Sequence, residues 1–180
     1  MRALVVYESM YGNTHAVAIN IAAGLGARYE VALVPVARAT HELVAAADLI
    51  VVGGPTHMHG MSSPASRRKA VETASKQGSG LTLDPDANGE GLHGWLDDLG
   101  ASHALAASFD TRLRGVAALT GRASQGIGRV LKRHGYRLVV PPESFLVTTD
   151  NTLLDGEATR ARTWGAVIGV AASNAVMHYA

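Results

Sequence analysis

Short apolar runs alternate along this chain with stretches whose apolar residues recur every three or four positions. That alternation is the pattern of strands separated by helices in an α/β domain. Residues 3–7, 49–52, 105–109 and 136–140 are mostly apolar without clean polar alternation, as strands buried on both faces of a parallel sheet read. Residues 31–36 form a fifth run, and Pro35, which has no N–H for a ladder, assigns it to a sheet edge. Pro141 and Pro142 after the last run predict the opposite edge or a break in that strand.

The helices are read from spacing. Val17, Ala18, Ile21, Ala22 and Leu25 make one apolar face, and Gly26 is placed to end it. Ile127, Val130, Leu131 and His134 make another, with Arg129, Lys132 and Arg133 turned outward. Trp164, Val167, Ile168, Ala171 and Ala175 predict a last helix opening near Asp155, and residues 41–47 a short one before the third strand. The expected fold is a single doubly wound, three-layer α/β sandwich over residues 1–180, with a five-stranded parallel sheet in the order 2-1-3-4-5. Residues 62–100 exceed what that fold needs and read as an insertion. They hold a helix opened by Ser63 and Pro64, a Gly-, Asp-, Pro- and Asn-containing stretch at 78–91, and a short helix at 92–99.

Composition narrows the class. Sixteen Lys plus Arg against fifteen Asp plus Glu leave a charge of 16 − 15 = +1, without the basic excess of a general nucleic-acid binder. The absence of cysteine excludes disulfides, thiolate metal sites, iron–sulfur clusters and a cysteine nucleophile. The first apolar run ends at Glu8, too short for a signal peptide, and no stretch reaches the ~20 apolar residues of a membrane span. The expectation is a cytoplasmic protein.

The candidate chemistry follows the first strand, where Ser9, Met10, Tyr11, Gly12, Asn13 and Thr14 lead directly into a helix. In a parallel α/β sheet this turn lies at the carboxyl ends of the strands, and the free N–H groups of the helix start favour an anion. Ser9 and Thr14 offer hydroxyl protons, Asn13 an amide, and Gly12 lets the backbone curl; no Lys or Arg is present. The Gly-Lys-Ser/Thr of a Walker loop and the G-x-G-x-x-G of a dinucleotide fold are both missing. A helix cap that binds nothing remains the alternative for this turn alone.

Taken over its full length, Val5-Val6-Tyr7-x-Ser9-x-x-Gly12-x-Thr14-x-x-x-Ala18-x-x-Ile21 resembles the flavodoxin signature. The apolar run at 49–54 followed by Pro55, Thr56, His57, Met58, His59 and Gly60 looks like that family's second loop, along the flavin ring. Residues 107–112, with Phe109, Asp110, Thr111 and Arg112, fall where its third cofactor loop should be. The resemblance implies non-covalent FMN, its phosphate on residues 9–14 and its ring between the other two loops. Family members commonly sandwich the ring between aromatic residues; here the second loop offers His57, Met58 and His59, the third offers Phe109, and Tyr11 is a further contact.

The implied function is electron transfer between a reductase and an acceptor protein. The alternatives are an NAD(P)H-dependent quinone reductase, with residues 78–91 in its substrate pocket, and a flavin-free interaction domain. Arg112 and Arg114 are expected near the cofactor mouth, for a nucleotide phosphate or an acidic partner. His57-x-His59 with His93 is set aside as a metal site, because alternate residues of an extended loop point apart and no carboxylate lies near in sequence. Asp97 and Asp98 read as solvated, and Trp95 as a packing anchor.

Overall fold

The computed structural model describes residues 1–57, 60–116 and 120–177. Strand β1 (Arg2–Tyr7) leads to helix α1 (Asn13–Leu25), edge strand β2 (Glu30–Pro35) and the short helix α2 (His41–Ala45). Strand β3 (Leu49–His57) folds back as the two-residue β4 (Gly60–Met61), and α3 (Pro64–Ala74) and α4 (Leu92–Asp97) belong to the insertion. Then come β5 (Leu105–Leu113), α5 (Ala123–Arg133), β6 (Arg137–Leu138), β7 (Glu143–Val147) and α6 (Glu157–Met177).

The central strands run parallel in the order β2-β1-β3-β5, and β6 and β7 share the far edge of β5. The last strand is therefore split: β6 pairs with Leu105 and Ala106, and β7 resumes at Phe109 after Pro141 and Pro142, which have no N–H to donate. This is the expected 2-1-3-4-5 sandwich, with the predicted break in its last strand.

Because side chains alternate across a strand, each strand feeds two cores. Ala3, Val5, Leu49, Val51, Ala107 and Phe109 face α1 and α6, while Leu4, Val6, Ile50, Val52 and Ala106 face α4 and α5. On the first face two glycines let the helices touch backbone to backbone. A Cβ at Gly24 would meet the Arg162 carbonyl oxygen at 2.1 Å, and one at Gly165 the Ile21 carbonyl oxygen at 2.3 Å.

Two strands are longer than their apolar runs predict. β3 continues through Pro55, paired with Thr111, and then pairs antiparallel with β4 at Thr56 and His57. β5 runs on to Leu113 because β3 supports it as far as Thr111 and β7 as far as Leu113. Residues 107–112, expected as a cofactor loop, are thus sheet, and only the end of that segment reaches the carboxyl edge.

Beside the apolar packing of α4, polar groups fasten the insertion. Glu8, buried at the end of β1, accepts from the Leu92 N–H at 2.7 Å and from the Ser62 hydroxyl, and its carboxylate lies 3.5 Å from Arg67 Nε. Arg67 in turn donates to the carbonyls of Ala87 and Gly89 at 2.8 and 2.7 Å. The Asp84 N–H donates to the Met10 carbonyl at 2.8 Å, and its buried carboxylate meets His15 at 3.2 Å. His15 stacks on Tyr7, whose hydroxyl reaches Asp86. Burial and the neighbouring Asp86 and Asp84 carboxylates push the Tyr7 phenol up to about 12, so it stays protonated. Ser63 caps α3 with Pro64 in its first turn, as the sequence predicts, and Ser66 returns the bond to the Ser63 N–H.

Candidate functional site

At the carboxyl ends of β1, β3, β5 and β7 the chain encloses a cleft of about 290 Å³. Its walls are Ser9, Met10, Tyr11, Asn13 and Thr14 from the first turn, Pro55, Thr56 and His57 from β3, and Thr111, Arg112 and Leu113 from β5. Val147, Thr148, Thr149 and Asn151 close the side beyond β7, and Leu81 comes from the insertion.

The first turn is built to receive an anion. Gly12 stands at the N-cap of α1 with φ +88°, a left-handed conformation that disfavours any other residue, and no side chain caps the helix. The N–H groups of the first turn are thus left open, and no acidic residue lies there to compete. The Gly12 N–H donates to Ser9 Oγ at 3.0 Å, which uses a lone pair of that hydroxyl and leaves its proton available. Thr14, buried, shares a 2.7 Å bond with the Thr111 hydroxyl across the cleft floor.

Asn13 behaves differently from expectation. Its amide nitrogen donates to the Asn151 carbonyl at 2.9 Å, so one of its two hydrogens clasps the turn after β7. That turn is stiffened by the Thr148–Thr152 hydroxyl pair at 2.8 Å, and Asn151 takes the left-handed φ of 56°.

Tyr11 donates its hydroxyl to the Ala70 carbonyl at 2.9 Å, which ties the turn to α3, and burial raises its phenol. His57 Nδ1 lies 3.1 Å from Ser66 Oγ. Burial lowers the His57 imidazole against the pull of Glu8, with Arg67 adding to the lowering. Thr56 uses its hydroxyl oxygen to accept from the Ala123 N–H at 2.9 Å, which fixes the start of α5.

Phe109 and Asp110 are not cleft residues. The Phe109 ring is fully buried on the α1–α6 face, edge-on to Phe145 and Trp164 at 6.3 Å each, over the space left by Gly53. Asp110 is fully buried on β5, accepts from the Ser124 N–H at 2.7 Å, and is pushed up by burial. Both lie inside β5, Phe109 at the end of the predicted apolar run and Asp110 in the part expected to be a loop. Arg112 lines the cleft, but its guanidinium donates to the carbonyls of Leu113 and Gly115 and to the Thr120 hydroxyl, which makes it the strut of its own loop. Gly60 lies in β4 away from the cleft wall, and Met58 and His59 lie outside the described residues. Trp95 packs in the core and donates to the Ala39 carbonyl at 2.8 Å.

The residues missed in the sequence are Leu113, Val147, Thr148, Thr149 and Asn151. A hydroxyl-rich turn directly after the last apolar strand is the signal that points to most of them, since strand carboxyl ends converge on ligands. Leu81 falls in the 78–91 stretch that the quinone-reductase alternative placed in its pocket. Among the described residues no group of His, Asp or Glu is arranged to hold a metal ion.

A sequence model of the flavodoxin family matches residues 5–119, which include the first turn, β3 and β5. The chain belongs to the flavodoxin family. As a flavodoxin it falls in the class of flavin-binding electron-transfer proteins. Among solved structures, a flavodoxin from the domain Archaea superposes with a TM-score of 0.66 at 18% identity, covering 96% of this chain and 99% of that one. Flavodoxin 1 of Bacillus cereus gives 0.63 at 16%, covering 93% and 97%. A WrbA-like flavodoxin of Agrobacterium tumefaciens gives 0.56 at 20%, covering 96% and 98%. At these identities the superpositions speak for the fold. No curated protein matches this flavodoxin in sequence. No helix among its described residues is long and apolar enough to cross a membrane.

Proposed function

We propose that this flavodoxin binds FMN non-covalently and carries electrons between a cytoplasmic reductase and an acceptor protein. The observation that supports FMN in particular is the uncapped start of α1. Gly12 opens it, Ser9 has a free hydroxyl proton, and Thr14 stands in its first turn, all in the family's signature segment. These neutral donors suit a phosphate, and the Pro55, Thr56 and His57 edge and the Tyr11 ring suit the flavin beside it. When bound, the flavin supplies the capacity to take up and release one or two electrons. The chain's part is to orient the phosphate at the α1 start and to limit water through Leu81 and the turn after β7.

Fluorescence titration of the flavin-free chain with FMN and with riboflavin tests the reading. FMN is expected to bind at least about tenfold more tightly, because hydrogen bonds to a charged group contribute about 1.5–3 kcal/mol each. Equal affinities would remove the phosphate site. The rival reading, an NAD(P)H-dependent quinone reductase, draws on Leu81, which brings the insertion to the cleft. Oxidation of NAD(P)H by a quinone with no added reductase would favour it over the carrier.

A further inference from the structure

Thr111 stands 97 positions from Thr14 in sequence, on a different strand, yet their hydroxyl oxygens are 2.7 Å apart and both side chains are buried. A hydroxyl has one proton and two lone pairs, so one of the two must donate, and the donor's proton is then spent. If Thr14 donated, its proton would be turned away from the open N–H groups beside it. If Thr111 donates, the Thr14 proton is released toward the start of α1.

Ser9 sets the precedent. Its oxygen is occupied by the Gly12 N–H, and its own proton is left for a ligand. Thr111 is also the better-anchored member of the pair, because its backbone is held on both sides, opposite Pro55 of β3 and opposite Phe145 of β7. We propose that Thr111 is a positioning residue for the phosphate subsite: its hydroxyl donates to Thr14 Oγ1 and so aims the Thr14 proton at the anion. The inference rests on the FMN reading and adds a specificity element to it. Thr111 acts through Thr14 and makes the site select for a phosphate group, while contributing little to the affinity for the ring.

The experiment measures binding of FMN, riboflavin and inorganic phosphate to the flavin-free full chain, for wild type, Thr14→Val, Thr111→Val, Thr111→Ser and the Thr14→Val/Thr111→Val pair. Valine is isosteric with threonine, and a thermal melt of each variant checks that it folds. Thr111→Val is expected to weaken FMN and inorganic phosphate by about tenfold and riboflavin by less than about twofold. Thr111→Ser keeps the hydroxyl and should restore FMN affinity to within about twofold of wild type. Thr14→Val should cost at least as much as Thr111→Val, and the pair no more than Thr14→Val alone.

Equal losses for FMN and riboflavin in Thr111→Val would overturn the inference in favour of a purely structural role. Additive losses in the pair would show that Thr111 touches the ligand on its own. A larger loss in Thr111→Val than in Thr14→Val would reverse the direction of the bond. A wild type that binds inorganic phosphate with the expected Thr111 dependence, but FMN no better than riboflavin, would overturn the FMN reading and leave the inference standing. A wild type that binds neither selectively would overturn both.

Discussion

The two faces of the sheet are closed by different means. On the α1–α6 face the contact is apolar and close, with Gly24 and Gly165 bringing two helix backbones together over Val17, Ile21 and Ile168. On the other face α4 and α5 also close an apolar core, but the rest of the insertion is fastened by single buried polar groups: Glu8 to Ser62, Arg67 and Leu92, and, round the end of β1, Asp84 to His15 of α1 and the Met10 carbonyl. Many weak apolar contacts spread the effect of any one change. A buried carboxylate with several partners concentrates it, because its loss strands each of them without water.

The largest effect is therefore expected at Glu8. Glu8→Ala leaves the Arg67 guanidinium, whose side chain is 14% exposed, without its carboxylate, and should cost about 3–5 kcal/mol in urea unfolding. Limited proteolysis should then cut first within residues 75–91. Cutting elsewhere first would show that the insertion does not depend on this anchor.

The opposing face is probed by Gly165→Ala, whose new Cβ has no room against the Ile21 carbonyl. A loss of about 3 kcal/mol is expected from overpacking. Gly26→Ala is the control: its Cβ would approach nothing nearer than 3.5 Å, and it should change stability by less than about 0.5 kcal/mol. Similar stability for the two variants would mean that the helices can slide apart at little cost.

A smaller effect is expected of Asp84→Asn, which keeps an oxygen for the Asp86 N–H but turns amide hydrogens toward His15. About 1–2 kcal/mol should be lost in urea. FMN affinity should fall with it, since Leu81, three residues away, lines the cleft. Unchanged FMN binding would separate the insertion from the site.

The smallest is a pH effect at Glu157. Burial pushes its carboxyl up, but the Arg160 guanidinium and the Leu146 N–H outweigh that and hold it below its ordinary 4.5. A lowered carboxyl contributes stability above 4.5 and loses it as the pH falls through the folded-state value. Glu157→Gln should thus be less stable than wild type at neutral pH, with the gap closing in acid. A gap that is constant with pH would reduce Glu157 to a neutral hydrogen-bond acceptor.

The same contrast explains what could be read from the chain. The strand order and both cores were legible because apolar runs and helical spacing are local patterns, and the first turn because six consecutive residues carry its chemistry. The ends of β3 and β5 were not, because the pairing of Pro55 with Thr111 and of Leu113 with Val147 sets them from distant segments. Asp110 and Thr111, expected in a loop after the fourth apolar run, are sheet for that reason. Asn13 and Arg112 were expected to contact the cofactor, and both line the cleft. One Asn13 amide hydrogen and the Arg112 Nη1 group are nevertheless engaged by Asn151 and by Leu113, Gly115 and Thr120, partners that spacing does not reveal.

The interruption at Pro141 and Pro142 has a bearing on how the chain meets its own copies. An exposed strand edge is a rail of unpaired N–H and C=O groups on which another strand can dock and propagate. Here the far rail is cut into lengths of two and five residues with prolines in the gap, and the near rail, β2, runs only from Glu30 to Pro35. A charge at one end, a missing donor at the other and a broken opposite edge leave short footholds for intermolecular strand addition. Each flank thereby offers a second strand little length to pair along.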